Sequence, residues 1–329
     1  MSFLRKNLYS FIKLGFSYLL GKNYPFVTVL RLNDACNMSC SYCDSYKLSK
    51  AIEINALLSF LDNIYQKGCR FIILTGGEAF LYKDREKLME WFEGKGIYLV
   101  INTNGKLINQ SEYTNFLKKA DEVLISIDGP EEFNDHHRGK GTHQKVIQTL
   151  DFLKQQKKKI TLSVVLTKYN SQEEVYEYIR KLKIKYNATV GINPVTANGR
   201  INSSDFSHSA AVPHSELKNF RDYINRHRKS FKEIPAMLLD YIVSPRPFIC
   251  KSMSYAIYID VDHGIYPCIN VTDRPEARFA DIESFDGKYQ KTIECQQCNC
   301  TPLIMGNLMF QDGRFPSLKK VFNIIKRHL

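Results

Sequence analysis

No stretch of this sequence is apolar for long enough to cross a bilayer. The nearest case, residues 1–22, is interrupted by Lys13, and a spanning helix needs about 20 apolar residues in succession. The same stretch shows no small-x-small cleavage site before Pro25, so its basic start and apolar body do not make a secretory signal. Internal repeats and low-complexity tracts are absent, which leaves an ordinary packed chain. The nine cysteines are an odd number and argue against a closed disulfide framework. Grouped thiols without a secretory signal indicate metal in a reducing, cytoplasmic compartment. The net charge of +12 is spread over Lys157–Lys159, residues 226–232 and residues 319–327. None of these runs has the interleaved aromatics of a nucleic-acid platform, so nucleic acid is not an expected partner and the runs read as solvated helix faces.

What is present begins with size and pattern. The 329 residues, 44% hydrophobic and 24% charged, suit one large α/β domain with a smaller one attached. Residues 1–22 carry Leu4, Leu8, Phe11, Ile12, Gly15 and Leu19 on one helical face, with Arg5, Lys6 and Lys13 elsewhere. Such a helix either caps the following domain or lies in a membrane interface, as a peripheral contact at the inner face.

From Phe26 strand-like and helix-like runs alternate. Strands are expected at 26–32, 70–75, 97–102, 122–127, 160–166 and 189–193, with helices near 52–67, 83–94, 109–119, 142–157 and 171–185. Five crossovers between six apolar strands imply a parallel sheet, open and doubly wound or curled into a partial barrel. In either form, functional groups collect where strands end. The six strand ends lead into Cys36–Cys43, Thr75-Gly76-Gly77-Glu78, Asn102-Thr103-Asn104-Gly105, Ser126–Pro130, Thr167 with Asn170, and Asn193-Pro194.

The first of these loops holds three thiols in the spacing C-x3-C-x2-C: Cys36, Cys40 and Cys43. Three thiolates converging on one centre leave an iron of a four-iron cluster, or one zinc position, without a protein ligand. Cys69 stands alone beside an apolar run and reads as a buried strand residue. The adjacent His136 and His137 read as polar loop residues rather than metal ligands.

This spacing, with the aromatic Tyr42 before the last cysteine, resembles the motif of the radical S-adenosylmethionine (SAM) superfamily. The resemblance implies a partial (β/α)6 TIM-like barrel whose [4Fe–4S] cluster is held by Cys36, Cys40 and Cys43. SAM would chelate the fourth iron and be cleaved to a 5′-deoxyadenosyl radical that abstracts a substrate hydrogen. Gly76, Gly77 and Glu78 resemble the family's contact to the SAM amino group, with Ala79 in place of the usual proline. Asn102, Asn104, Ser126 and Asp128 resemble strand-end residues facing the ribose and methionine parts. Arg138 resembles an arginine near the SAM carboxylate or the substrate.

A second cysteine group resembles the twitch form of a SPASM domain, a small C-terminal β-hairpin and loop extension that carries an auxiliary [4Fe–4S] cluster. Cys250, Cys268, Cys295 and Cys298 would supply its ligands; a structural zinc of four cysteines is the alternative. Cys300 is a fifth thiol that replaces Cys298, stays free, or donates a hydrogen atom or proton near the site. Gly264 stands one residue nearer to Cys268 than the usual pattern, and Tyr255, Tyr258 and Tyr266 read as packing residues. The expected organisation is an N-terminal helix (1–24), a barrel (25–200), a helical bridge (201–249) and an auxiliary-cluster domain ending in a short basic helix (250–329). The expected activity is radical modification of a peptide or protein, fed by a flavodoxin or ferredoxin reductant. The alternatives are a small-molecule substrate, such as a sugar or lipid precursor, and a non-catalytic electron carrier. Only about 25 residues precede the first strand, so no separate peptide-recognition domain is expected there.

Overall fold

The structure is a computed structural model. It describes residues 26–43, 45–108, 111–195, 209–245, 248–250, 253, 256–268, 275–282 and 293–295. The expected N-terminal helix, the C-terminal helix, Tyr255, Cys298 and Cys300 lie outside the described residues.

Strands β1 (Val27–Arg31), β2 (Phe71–Thr75), β3 (Tyr98–Thr103), β4 (Glu122–Ser126), β5 (Lys159–Leu166) and β6 (Thr189–Pro194) pair in that order, all parallel. Each crossover carries helix: α1 (Ile54–Gln66), α2 (Arg85–Phe92), α3 (Thr114–Lys119), then both α4 (Glu131–Arg138) and α5 (Thr142–Gln155), and α6 (Glu173–Tyr186). A right-twisted strand feeding a right-handed helix returns to the sheet in one hand only, which accounts for the uniform parallel order.

Strand alternation sorts side chains between two faces. In β1, Thr28 and Leu30 are buried while Val27, Val29 and Arg31 are half-buried, and β5 repeats the pattern over eight residues. The buried rows meet the helices in one continuous core. In α1, buried Ile54, Leu57, Phe60, Leu61 and Ile64 recur at three- and four-residue spacing. At roughly 2 kcal/mol for each fully buried apolar side chain, that stripe contributes about 10 kcal/mol to docking. The Glu53 carboxylate starts the helix by accepting from the Asn55 and Ala56 amides at 2.8 and 2.7 Å. Leu61→Ala would open a cavity costing about 2–5 kcal/mol.

Helix α4 corrects the expectation of a loop at His136 and His137. Its one partly buried hydrophobic, Phe133, gives no apolar stripe for periodicity to detect. The terminal signals are nevertheless present: Pro130 at the N-cap, Glu131 and Glu132 in the first turn, His136-His137-Arg138 in the last, and Gly139 at φ 97° just beyond. Acidic starts and basic ends complement the helix dipole.

Beyond β6, α7 (His214–Arg226) and α8 (Ala236–Val243) fill the expected helical bridge, and a two-stranded ribbon joins β7 (Phe248–Cys250) to β11 (Ile293–Cys295). Between them, β8 (Ala256–Ile259) and β9 (Gly264–Tyr266) form the expected hairpin, followed by β10 (Ala277–Arg278). Hairpin strand β8 pairs parallel with β1, Val29 opposite Tyr258, so the main sheet runs β10-β9-β8-β1-β2-β3-β4-β5-β6. The turn at Asp262-His263-Gly264 places His263 at φ 64°. Tyr258 and Tyr266 are directly opposed and buried.

Candidate active site

The loop after β1 carries the three thiols, and its shape is set by residues that are not thiols. Gly76 and Gly77, after β2, lie against the strand that leads into it. The Gly77 amide donates to the Asn33 carbonyl at 2.8 Å and the Glu78 amide to the Ala35 carbonyl at 2.7 Å. A Cβ on Gly77 would stand 2.2 Å from the Asp34 carbonyl oxygen and 2.4 Å from that of Ala35. Glycine is therefore required for approach of the chain to itself. The Glu78 carboxylate is buried and already engaged: Oε1 accepts from Thr103 Oγ1 at 2.8 Å and the Phe80 amide at 3.2 Å, and Oε2 from the Asn104 amide at 2.8 Å. Burial raises its pKa, and these three donors oppose the rise. Glu78 thus ties β2 to β3, and Ala79 starts a short 3-10 turn, Ala79–Leu81, without proline.

Asn104 reaches from β3 to the cysteine loop. Its Nδ2 donates to Asn37 Oδ1 at 2.7 Å and lies 3.9 Å from Cys36 Sγ, while its Oδ1 accepts from the Lys106 amide at 3.0 Å. A donor to a ligating sulfur is one of the means by which proteins tune iron–sulfur centres. Asn102 points to the half-buried face of the sheet; its Nδ2 donates to Thr75 Oγ1 at 3.4 Å, and its buried Oδ1 has no partner. Ser126 ends β4 opposite Ser163, half-buried.

On the other flank, Asp128 and Arg138 face each other. Asp128 is fully buried and receives Arg138 Nε at 2.7 Å and Nη2 at 3.1 Å, Tyr42 OH at 2.8 Å and the Val165 amide at 2.9 Å. The guanidinium also lies 5.5 Å from the Tyr42 ring centroid. Although burial works against its charge, the Asp128 carboxylate holds Arg138 protonated. His137 extends the same contact, with Nδ1 2.9 Å from Ser41 Oγ and Nε2 3.0 Å from Thr167 Oγ1. Burial lowers the pKa of His137 to about 4, so the ring is neutral at pH 7. The Ser41 amide donates to the His137 carbonyl at 2.9 Å. Asn170 in turn donates to the Asp128 carbonyl at 2.8 Å. Sequence reading had missed Asn37, Ser41 and the role of His137; the terminal signals of α4 were the available clue.

A third tie comes from Arg31, at the end of β1, which meets Asp34 Oδ1 at 2.6 Å, Ser45 Oγ at 3.0 Å and Asp260 Oδ1 at 3.4 Å. Through Asp260 the hairpin is bonded to the start of the cysteine loop.

Cys36, Cys40 and Cys43 are all half-buried. Burial raises the Cys36 thiol and takes Cys40 to about 11; at both, negative charge on neighbouring thiols also opposes ionisation, while Arg138 favours the Cys40 thiolate. A bound cation reverses that balance, because coordination deprotonates a thiol outright. Among the described residues, no three His, Cys, Asp or Glu side chains stand close enough to share one metal ion. Three soft thiol donors on one loop are a ligand set that fits an iron–sulfur cluster with one iron left without a protein ligand. The unpartnered Asn102 Oδ1 offers an acceptor for a polar ligand beside it.

Residues 30–182 match the family model described as the radical SAM superfamily. Over that stretch, somewhat under half of its length, the chain is similar to that superfamily. Superfamily members bind a [4Fe–4S] cluster and SAM. Among curated relatives, the chain is 30% identical over 169 residues to the Fe-coproporphyrin III synthase of Methanosarcina barkeri, which is 48% of this chain and 42% of that one. It is 22% identical over 319 residues to the cysteine-type anaerobic sulfatase-maturating enzyme of Clostridium novyi, covering 82% and 83% of the two chains. The matched region thus spans under half of the first relative and most of the second. Among solved structures, anSMEcpe with bound AdoMet and the Cp18Cys peptide aligns at TM-score 0.59 and 18% identity, over 92% of this chain and 99% of that one. That likeness is one of fold, and it supports the partial-barrel reading of the sheet, which is not closed by hydrogen bonds.

The second cysteine group is described only in part. Cys268 follows β9 and is half-buried. The β7–β11 ribbon pairs Cys250 with Ile293 and Cys295 with Phe248, which brings the backbones of Cys250 and Cys295 within two steps of register.

Proposed function

We propose that this protein is a radical SAM enzyme of the maturase type, acting on a peptide or protein. The observation that carries the reading is a loop with three thiols rather than four, held in shape by Asn37, Ser41 and Tyr42 so that the thiols remain for ligation. When bound, the reduced cluster supplies reductive cleavage of SAM and thereby a hydrogen-abstracting radical. The chain's own contributions are positional. Asn104 donates toward Cys36, Arg138 lies beside Cys40, and the polar row Thr75, Asn102 and Ser126 lines the half-buried face next to the loop. Asn102 Oδ1, Asn104 and Ser126 are the residues assigned to SAM contact. Glu78, Asp128, Arg138 and Tyr42 act by holding the loop rather than by meeting the ligand.

The peptide assignment draws on the likeness to sulfatase-maturating enzymes along most of both chains. The likeness to Fe-coproporphyrin III synthase favours a second reading, oxidation of a small molecule. Cys250, Cys268, Cys295 and Cys298 hold an auxiliary [4Fe–4S] cluster, Cys300 stays near it, and a flavodoxin or ferredoxin supplies electrons. Residues 1–22 make a peripheral contact with an anionic membrane face.

Anaerobic reconstitution, reduction and addition of SAM test the central claim. 5′-Deoxyadenosine should form; its absence from protein that retains both iron and SAM leaves a non-catalytic electron carrier. In the triple variant Cys36→Ala, Cys40→Ala and Cys43→Ala, about four irons should remain on the auxiliary cluster. Zinc without iron in that variant overturns the auxiliary assignment.

A further inference from the structure

At the end of the strands opposite the thiols lies a basic cleft that the radical chemistry does not use. Helices α5 and α6 run antiparallel to the strands, so their C-termini and the starts of β5 and β6 meet there, joined by the segment 229–233 after α7. The opening is about 640 Å³, and seven lysines with a single carboxylate line it. Two of the lysines are neutralised locally: Lys183 pairs with Glu233 at 2.9 Å and Lys159 with Glu122 at 3.3 Å. Lys154 donates to the Lys185 carbonyl and so keeps its charge, and Lys158 donates to the carbonyls of Lys118 and Ala120. The side chains of Lys157, Lys229 and Lys232 are exposed and, among the described residues, take part in no hydrogen bond or ion pair.

Lysines at helix C-termini complement the helix dipole, which explains one or two of these side chains. It does not explain seven lysines around one opening, five of them outside both helices. Like charges this close repel unless an anion sits between them. Two further features narrow the anion. Ile184, the most exposed large hydrophobic among the described residues at 60%, stands between Lys183 and Lys185, and Met237, 43% exposed, follows the cleft segment on α8. Residues 1–25 contain Arg5, Lys6, Lys13 and Lys22 and no carboxylate, and β1, four strands from β5, starts at the same end of the parallel strands. Exposed apolar side chains flanking cations suit a lipid surface, where stable attachment takes two signals.

We propose that this cleft, with the exposed Ile184 and Met237 close in sequence to its lining residues, docks the protein on an anionic lipid bilayer through the headgroup phosphates. It is the second of two signals, and it rests on the membrane reading of residues 1–22 for the first. The half-buried face and the thiol loop are then turned away from the bilayer and remain open to substrate.

Flotation of the full chain with vesicles of equimolar phosphatidylglycerol and phosphatidylcholine, and with phosphatidylcholine alone, provides the test. The wild type should bind the anionic vesicles and be released by salt. Lys157→Gln, Lys229→Gln and Lys232→Gln together should weaken partitioning roughly 100-fold, at about fivefold for each lysine. Solution cleavage of SAM and the thermal midpoint should stay unchanged. Exposed lysines at the opposite edge serve as the control: Lys50→Gln, Lys83→Gln and Lys87→Gln should have little effect. Leu8→Asp with Phe11→Asp reports separately on the N-terminal stretch. Undiminished binding by the cleft variant overturns the proposal, whatever the N-terminal variant does. So does an equal loss in the control set, which reduces the effect to net charge. Absence of wild-type flotation, with retention on immobilised RNA through the same lysines, replaces the bilayer by nucleic acid and also overturns it.

Discussion

Replacing Asp128 by asparagine tests whether the thiol loop is held from within the protein. The side chain keeps its shape and an acceptor for Tyr42 OH, but it removes the charge opposite Arg138. In the folded protein the two side chains are 0% and 7% exposed, so Arg138 is left as a buried, uncompensated cation. Breaking one partner of such a pair costs about 3–5 kcal/mol. At roughly 2–4 °C per kcal/mol for larger domains, the thermal midpoint should fall by about 6–20 °C. The measurement is calorimetry or far-UV circular dichroism on cluster-free protein under reducing conditions. Arg138→Met alone should also destabilise, by leaving Asp128 unpaired. The double variant should recover part of either loss, because it leaves no unpaired charge in the core. The coupling energy of the cycle then reports the pair directly. A loss below about 1 kcal/mol in Asp128→Asn, the scale of an exposed pair, would refute the reasoning. Strictly additive single variants would do the same and return Arg138 to SAM or substrate.

Other outcomes follow from the same contacts. Gly77→Ala places a Cβ 2.2 Å from a backbone carbonyl that cannot rotate away; denaturant titration should show a loss of about 3 kcal/mol or more, with little iron retained after reconstitution. Glu78→Gln turns an amide toward at least one of three donors and should cost about 1–3 kcal/mol, read by the same titration. His137 is held neutral by burial, with its pKa lowered to about 4. A base whose pKa is lower in the folded state contributes fully above the unfolded value near 6.5, and stability is lost as pH falls from there toward 4. His137→Gln should flatten that part of the stability–pH curve, and an unchanged slope would show that other groups carry it. Asn104→Ala removes the donor toward Cys36 and frees Asn37; the reconstituted cluster should shift in redox potential, as measured by spectroscopic titration.

Much of the site was legible because its information is local. The strand and helix periods, the C-x3-C-x2-C spacing and the glycine pair all occupy short windows, and the six parallel strands appear in the order that the alternating pattern implies. The glycines were legible as close-approach positions, but not which partner approaches. Helix α4 was missed because it has no apolar stripe, although its caps and end charges are in the sequence.

The sequence by itself determined the element order, the identity of the thiol loop and its placement after a first strand. The tertiary structure alone decided which buried charges meet. Tyr42 and Asp128 are 86 residues apart, and Arg31 and Asp260 are 229 apart. No local pattern specifies such partners. A buried polar group takes whichever complementary group the packed core brings within hydrogen-bond reach, since leaving it unmatched costs more than any local preference supplies. For the same reason the sequence showed a loop able to hold iron, and only the fold showed that Asp128, Arg138, His137, Glu78 and Asn104 hold the loop.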